Sequence, residues 1–180
     1  MKGVDRLRAI DLSAKKLQAR IPRFPQNTIH VLRVLRATDI SVGDYFEKLL
    51  SPAGVNGSEF HTLAILSSCD NGTSSPSELA ELVGQTRANM TRILDSLVKS
   101  RYVSSVVDRR DARRRSVAIT ARGERFLSKC VGEFAPLLSD CLSDFSRSEL
   151  DLLERLLRKM IESLDRGQRG LVFSADFRAA

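Results

Sequence analysis

The chain has 180 residues, 42% of them hydrophobic, enough for one compact domain with a real core, and with no Trp, two Tyr and eight Phe that core must be mainly aliphatic. No run of eighteen apolar residues exists, and charges interrupt every short apolar stretch of the N-terminal MKGVDRLRAIDLSAKK, so a membrane span and a secretory signal are both excluded and the cytoplasm is the expected location. The net charge of +7 is localised: residues 84–122 hold ten Lys/Arg against three acids, while the remaining nineteen bases and nineteen acids cancel, so a polyanionic partner is expected at that segment.

In chain order, Leu7, Ile10, Ala14, Leu17 and Ile21 recur at helical spacing over residues 4–21. The stretch IPRFP interrupts this helix, because Pro22 and Pro25 each lack a backbone donor. A longer amphipathic helix runs from Thr28 to Leu50 through Ile29, Leu32, Leu35, Ile40 and Phe46, and SPAGVNG ends it. Asn56 and Glu59 stand as N-cap and N3 of a capping box opening the next helix, with Phe60, Leu63, Ala64 and Leu66 apolar. DNGTS is read as a loop.

Ser75, Pro76 and Glu78 then mark a strong helix start, and Gly84 stops that helix. Thr86 caps the following one, in which Met90, Ile93, Leu94 and Leu97 fall on one face. After Arg101 the period becomes extended: YVSSVV and SVAIT read as strands flanking the hydrophilic tip DRRDARRR. Thr120 opens a long helix reaching Leu142, containing Pro136, and Ser146 with Glu149 caps a last helix carrying Leu150, Leu153, Leu156, Leu157, Ile161 and Leu164. The tail from Gly167 has no clear period.

The fold class that follows is mainly α with a small β-hairpin wing: a winged helix-turn-helix with dimerisation helices at both ends. The expected organisation is an extension (1–27), a dimerisation helix (28–55), a DNA-reading lobe (56–120), C-terminal dimerisation helices (121–165) and a tail (166–180). The terminal helices carry more apolar surface than a small lobe can bury, which points to a homodimer.

With Met90, Ile93, Leu94 and Leu97 turned inward, Thr86, Arg87, Ala88, Asn89, Thr91 and Arg92 are left near the end of the helix that enters a major groove. Arg can grip guanine and Asn adenine with two bonds each, and Thr86 and Thr91 suit phosphate oxygens. In the wing, Arg110, Arg113 and Arg114 suit a narrow minor groove, and Asp111 is expected to orient a neighbouring guanidinium, Arg113 first among them. Double-stranded DNA with a palindromic operator is the expected partner.

Nothing in the sequence suggests an enzyme. There is no phosphate-binding Gly loop and no Ser-His-Asp set, and His30, His61, Cys69, Cys130 and Cys141 are not spaced as metal ligands. No cofactor or metal is expected. The three cysteines are read as plain thiols; a thiol-based redox regulator and a non-specific architectural DNA-binding protein remain the alternative functions.

The run SPSELAELVGQTRANMTRILDSLVKSRYV followed by DARRRSVAITARGERFL resembles the MarR family of transcription regulators, over roughly residues 28–165. The resemblance rests on Leu79-Ala80, Gly84, Thr91-Arg92, Asp95, Leu97, Asp111, Arg113, and Thr120 followed by Gly123. FPxxxI, PSELA and TRANMTRI are similar to multidrug-efflux repressors of the EmrR/MprA type. This implies a homodimeric repressor of an efflux or stress operon, released by a small aromatic or amphipathic effector. An effector pocket is expected where the dimer helices meet the lobe, lined by Leu35, Arg36, Asp39, Phe60 and Leu63. Two departures stand out: Arg101 occupies a position where the family usually has Gly to end the recognition helix in a left-handed turn, and Ala112 replaces a common wing charge.

Overall fold

The computed structural model describes residues 2–21, 23, 25–107 and 115–168. Among the described residues seven α-helices and three strands follow in order: α1 (Gly3–Arg20), α2 (Gln26–Leu50), α3 (Gly57–Ser68), β1 (Thr73–Ser74), α4 (Pro76–Val83), α5 (Arg87–Lys99), β2 (Val103–Val107), β3 (Arg115–Ile119), α6 (Ala121–Asp140) and α7 (Arg147–Gln168). The chain divides into two compact units, Met1–Gly132 and Glu133–Ala180.

In the first unit α1 lies against α2, tied by Arg6, which donates from both terminal nitrogens to Asp44 Oδ2 at 3.0 and 3.1 Å. Helix α2 begins at Gln26 rather than Thr28, since the Ile29 amide already bonds to the Pro25 carbonyl. A single 3-10 turn, Ser51–Ala53, and left-handed Gly54 carry the chain to α3. There both halves of the capping box form: Asn56 Oδ1 accepts from the Glu59 amide and Glu59 Oε2 from the Asn56 amide, each at 2.9 Å. Reciprocal satisfaction of two otherwise orphan donors is what lets a carboxylate be buried at this helix start.

The core of this unit is one aliphatic cluster. Leu63 and Leu66 of α3, Leu79, Ala80 and Val83 of α4, Met90, Ile93, Leu94 and Leu97 of α5, and Val103 and Val117 of the sheet pack together. The sheet is antiparallel in the order β1-β3-β2, with Val103 opposite Ile119 and Thr73 opposite Ala118. Strand β1 corrects the reading of DNGTS as wholly loop. Two residues are too few to show an alternating pattern, and their pairing is supplied by β3 from more than forty positions away.

A junction at the end of the hairpin holds the start of α6 to the lobe. The Thr120 hydroxyl lies 2.8 Å from the Arg101 carbonyl, and its oxygen accepts from the Gly123 amide at 3.0 Å, capping α6. A Cβ at Gly123 would stand 2.3 Å from the Tyr102 carbonyl oxygen, so only Gly allows this approach. Tyr102 stacks on Phe126 with centroids 4.3 Å apart, and the Arg122 guanidinium lies over the Tyr102 ring.

In the second unit, α7 is opened by the capping box anticipated at Ser146 and Glu149. None of its residues is buried. Leu152, Leu153, Leu156, Ile161 and Leu164 are all exposed.

Candidate nucleic-acid interface

The geometry of the α4–α5 pair follows from its turn. Gly84 is left-handed at φ 69°, the Gly84 amide bonds to the Glu81 carbonyl, and the Gln85 amide reaches back to the Ala80 carbonyl at 2.8 Å. These two bonds satisfy two of the four C-terminal carbonyls of α4 and turn the chain sharply into α5. Ala80, almost fully buried, allows close packing of the two helices. Ser75 Oγ accepts from the Glu78 amide at 3.2 Å, and Glu78 Oε2 in turn accepts from the Ser74 hydroxyl at 2.8 Å.

The same device recurs at the end of α5 without a glycine. Arg101 adopts φ 60°, its amide bonds to the Val98 carbonyl, and the Tyr102 amide bonds to the Leu97 carbonyl, both at 2.9 Å. The left-handed turn that the family resemblance implies is therefore kept, and an arginine bears it.

Burial of Met90, Ile93, Leu94 and Leu97 turns the other face of α5 outward. Arg87, Ala88, Thr91 and Arg92 are exposed there. Thr86 is exposed as N-cap, its Oγ1 accepting from the Asn89 amide at 3.2 Å. Thr91 donates its hydroxyl to the Arg87 carbonyl at 3.0 Å, which leaves the oxygen lone pairs to an incoming donor. Asn89 differs from the sequence reading: it is half-buried, and its Nδ2 donates to Gln85 Oε1 at 2.6 Å. Gln85 was not anticipated: it stands in the turn between Gly84 and the N-cap Thr86, outside both helices. Of the predicted wing residues, Arg110, Asp111, Arg113 and Arg114 lie outside the described residues.

A cavity of about 640 Å³ lies between α2 and α3, lined by Asp39, Phe46, Glu47, Phe60, His61 and, from the turn before α5, Gln85 among others. Two of the five residues expected at an effector pocket, Asp39 and Phe60, line it. Leu35 is half-buried and Arg36 exposed, and neither belongs to the lining. Leu63 is corrected outright: it has no exposed surface and sits in the core cluster, because it occupies the inward position of α3. Among the described residues no group of three His, Cys, Asp or Glu could hold a metal ion, and no helix is long and apolar enough to cross a membrane.

A helix pair set by a tight left-handed turn, an outward polar face at the start of the second helix, and an antiparallel hairpin after it define a winged helix-turn-helix. Residues 53–114 match the MarR family model. The chain is 33% identical over 98 residues to the HTH-type transcriptional regulator PapX of Escherichia coli, covering 54% of this chain and 57% of PapX. It is 31% identical over 104 residues to the transcriptional repressor MprA of Escherichia coli K12, covering 58% and 59%. The chain thus spans less than two thirds of the length of these curated relatives. Among solved structures, a mutant MarR from Escherichia coli complexed with operator DNA superposes with a TM-score of 0.67 at 22% identity, covering 79% of this chain and 96% of that one. Sco3205 of Streptomyces coelicolor in complex with DNA gives 0.68 at 19% identity, covering 74% and 85%. At these identities the likeness is one of fold.

Proposed function

We propose that the chain is a DNA-binding transcriptional regulator, acting as a homodimeric repressor of an efflux or stress operon and released by a small effector. The observation that carries the reading is the α5 face. A helix whose one side is locked into the core presents Arg87, Ala88, Thr91 and Arg92 from its first two turns, with Asn89 held at their edge. These side chains supply bidentate donors, a bidentate amide and a hydroxyl at the positive end of a helix dipole, the chemistry that base edges and phosphates require. The wing arginines, Arg110, Arg113 and Arg114, with Asp111, extend the same basic segment in sequence.

The dimer is supported by the apolar face of α7, which the chain alone leaves exposed. A two-fold assembly reads half-sites about 34 Å apart, one turn of a palindromic operator. The cavity beside α5 is the proposed effector site, with Asp39 and Phe60 among its contacts. Release is then a population shift toward a dimer whose recognition helices no longer match the operator.

The test is a footprint on the gene's own upstream DNA, paired with affinity for a scrambled duplex. A regulator prefers its operator by a factor of roughly 10³ or more. Asn89→Ala lowers that preference more than it lowers affinity for the scrambled duplex. Equal affinity of the unmodified protein for both duplexes would reduce the chain to an architectural DNA binder.

A further inference from the structure

We propose that the cavity beside α5 takes a lipophilic organic cation, and that Gln85 passes its occupancy on to Asn89. The proposal deepens the effector reading above, and its binding step stands on the cavity alone.

At about 640 Å³ the space is the size of a small-molecule site. Its walls combine two aromatic rings, Phe46 and Phe60, with two carboxylates, Asp39 and Glu47. Asp39, Phe46 and Glu47 come from α2 at positions seven and eight apart, which places them on one helix face. Among the described residues no Lys or Arg is in the lining, and His61 is its one basic group. Asp39 has no hydrogen bond or ion pair among the described residues, so its charge is not spent on the protein. Glu47 is held in place by the Gly57 amide, which donates to its Oε1 at 3.1 Å, and this fixes a carboxylate at the mouth of α3. Ring faces attract cations, and the two exposed carboxylates beside them add to that attraction while repelling anions. An aromatic acid meets the wrong sign here.

Gln85 belongs to both sites. It lines the cavity, and its Oε1 accepts from Asn89 Nδ2 at 2.6 Å. A ligand that turns the Gln85 amide frees the Asn89 side chain, which blurs base selection before it lowers general affinity. Gln85 is in this sense a positioning residue.

The charge sign is tested with tetraphenylphosphonium and tetraphenylborate, two probes of nearly one shape and opposite charge, titrated calorimetrically into the full chain. Phosphonium is expected to bind at least about tenfold more tightly than borate, and D39N with E47Q to remove that preference. In Glu47→Gln the amide oxygen still accepts from Gly57, and unchanged circular dichroism confirms the fold. Borate binding as tightly as phosphonium, or a preference that survives the double variant, overturns the cation assignment. The link is tested on operator and scrambled duplexes: phosphonium lowers discrimination in the unmodified chain, whereas Gln85→Ala discriminates poorly from the start and does not respond further. A Gln85→Ala protein that discriminates and responds like the parent overturns the link. A chain that binds its operator but no phosphonium removes this proposal alone, and one that binds phosphonium but no duplex removes the regulator.

Discussion

The DNA-reading lobe and helix α7 have the same kind of sequence and opposite fates. In α5, Met90, Ile93, Leu94 and Leu97 recur at helical spacing and are almost wholly buried; in α7, Leu153, Leu156, Ile161 and Leu164 recur the same way and remain 42–60% exposed. Periodicity identifies which face of a helix is apolar. What covers that face is a tertiary question in the lobe, answered within one chain by α3, α4 and the sheet. For α7 the proposed answer is a second copy.

The largest effect that separates the two is truncation of one leucine in each. Leu97→Ala removes side-chain atoms from a closed core, and is expected to cost about 2–5 kcal/mol of unfolding free energy in urea at any protein concentration. Leu156→Ala in a monomeric chain would stay within about 0.5 kcal/mol, as exposed positions do. In the proposed dimer it lowers Tm by an amount that shrinks as protein concentration rises, since association and folding are linked. A Tm loss at Leu156 that ignores concentration would count against a second copy on this face.

A smaller effect sharpens the comparison within the lobe, between its two left-handed turns. Gly84 and Arg101 have φ of 69° and 60°, and in each the following amide bonds five residues back. Arg101 bears a Cβ in a region that disfavours one, so Arg101→Gly is expected to raise stability by about 1 kcal/mol, less the extra freedom gained by the unfolded chain. The same variant removes an exposed guanidinium beside α5, so operator affinity falls and becomes less dependent on salt. Stability and affinity then move in opposite directions, which would explain why an arginine stands in a glycine's place. An unchanged salt slope would mean that Arg101 does not meet phosphate.

The contrast also explains what was legible in advance. Ser75, Gly84, Thr86 and the inward residues of α5 announce themselves because caps and helical spacing are local signals, written within a few residues of where they act. Strand β1 was missed because its two residues acquire strand character only from β3. Leu63 was misplaced as an effector contact because helical spacing marks a residue as apolar without saying whether its neighbour is a cavity or a core. Gln85 escaped for a related reason: its role depends on touching both the cavity and Asn89, and only the folded chain brings these together. The expected wing contacts at Arg110, Asp111, Arg113 and Arg114 fall outside the described residues.

The smallest effect concerns how α7 begins. Glu149 is exposed, and its Oε2 accepts from the Ser146 hydroxyl at 2.7 Å and from the Ser146 amide at 2.8 Å. Those two bonds favour the charged carboxylate, the hydroxyl contributing most, and hold it below the usual Glu range. A pKa depressed on folding stabilises above the unfolded value, and that contribution is lost as pH falls through the folded one. The first turn of α7 should therefore fray on acidification below the ordinary carboxylate range, seen as faster amide exchange at Leu150, whose amide bonds to the Ser146 carbonyl at 3.1 Å. Glu149→Gln keeps an acceptor but has no proton to take up, so Leu150 exchange, corrected for its intrinsic pH dependence, should lose this step. If the step persists in Glu149→Gln, another group controls the opening of α7, and the capping box is a consequence of the helix rather than its cause.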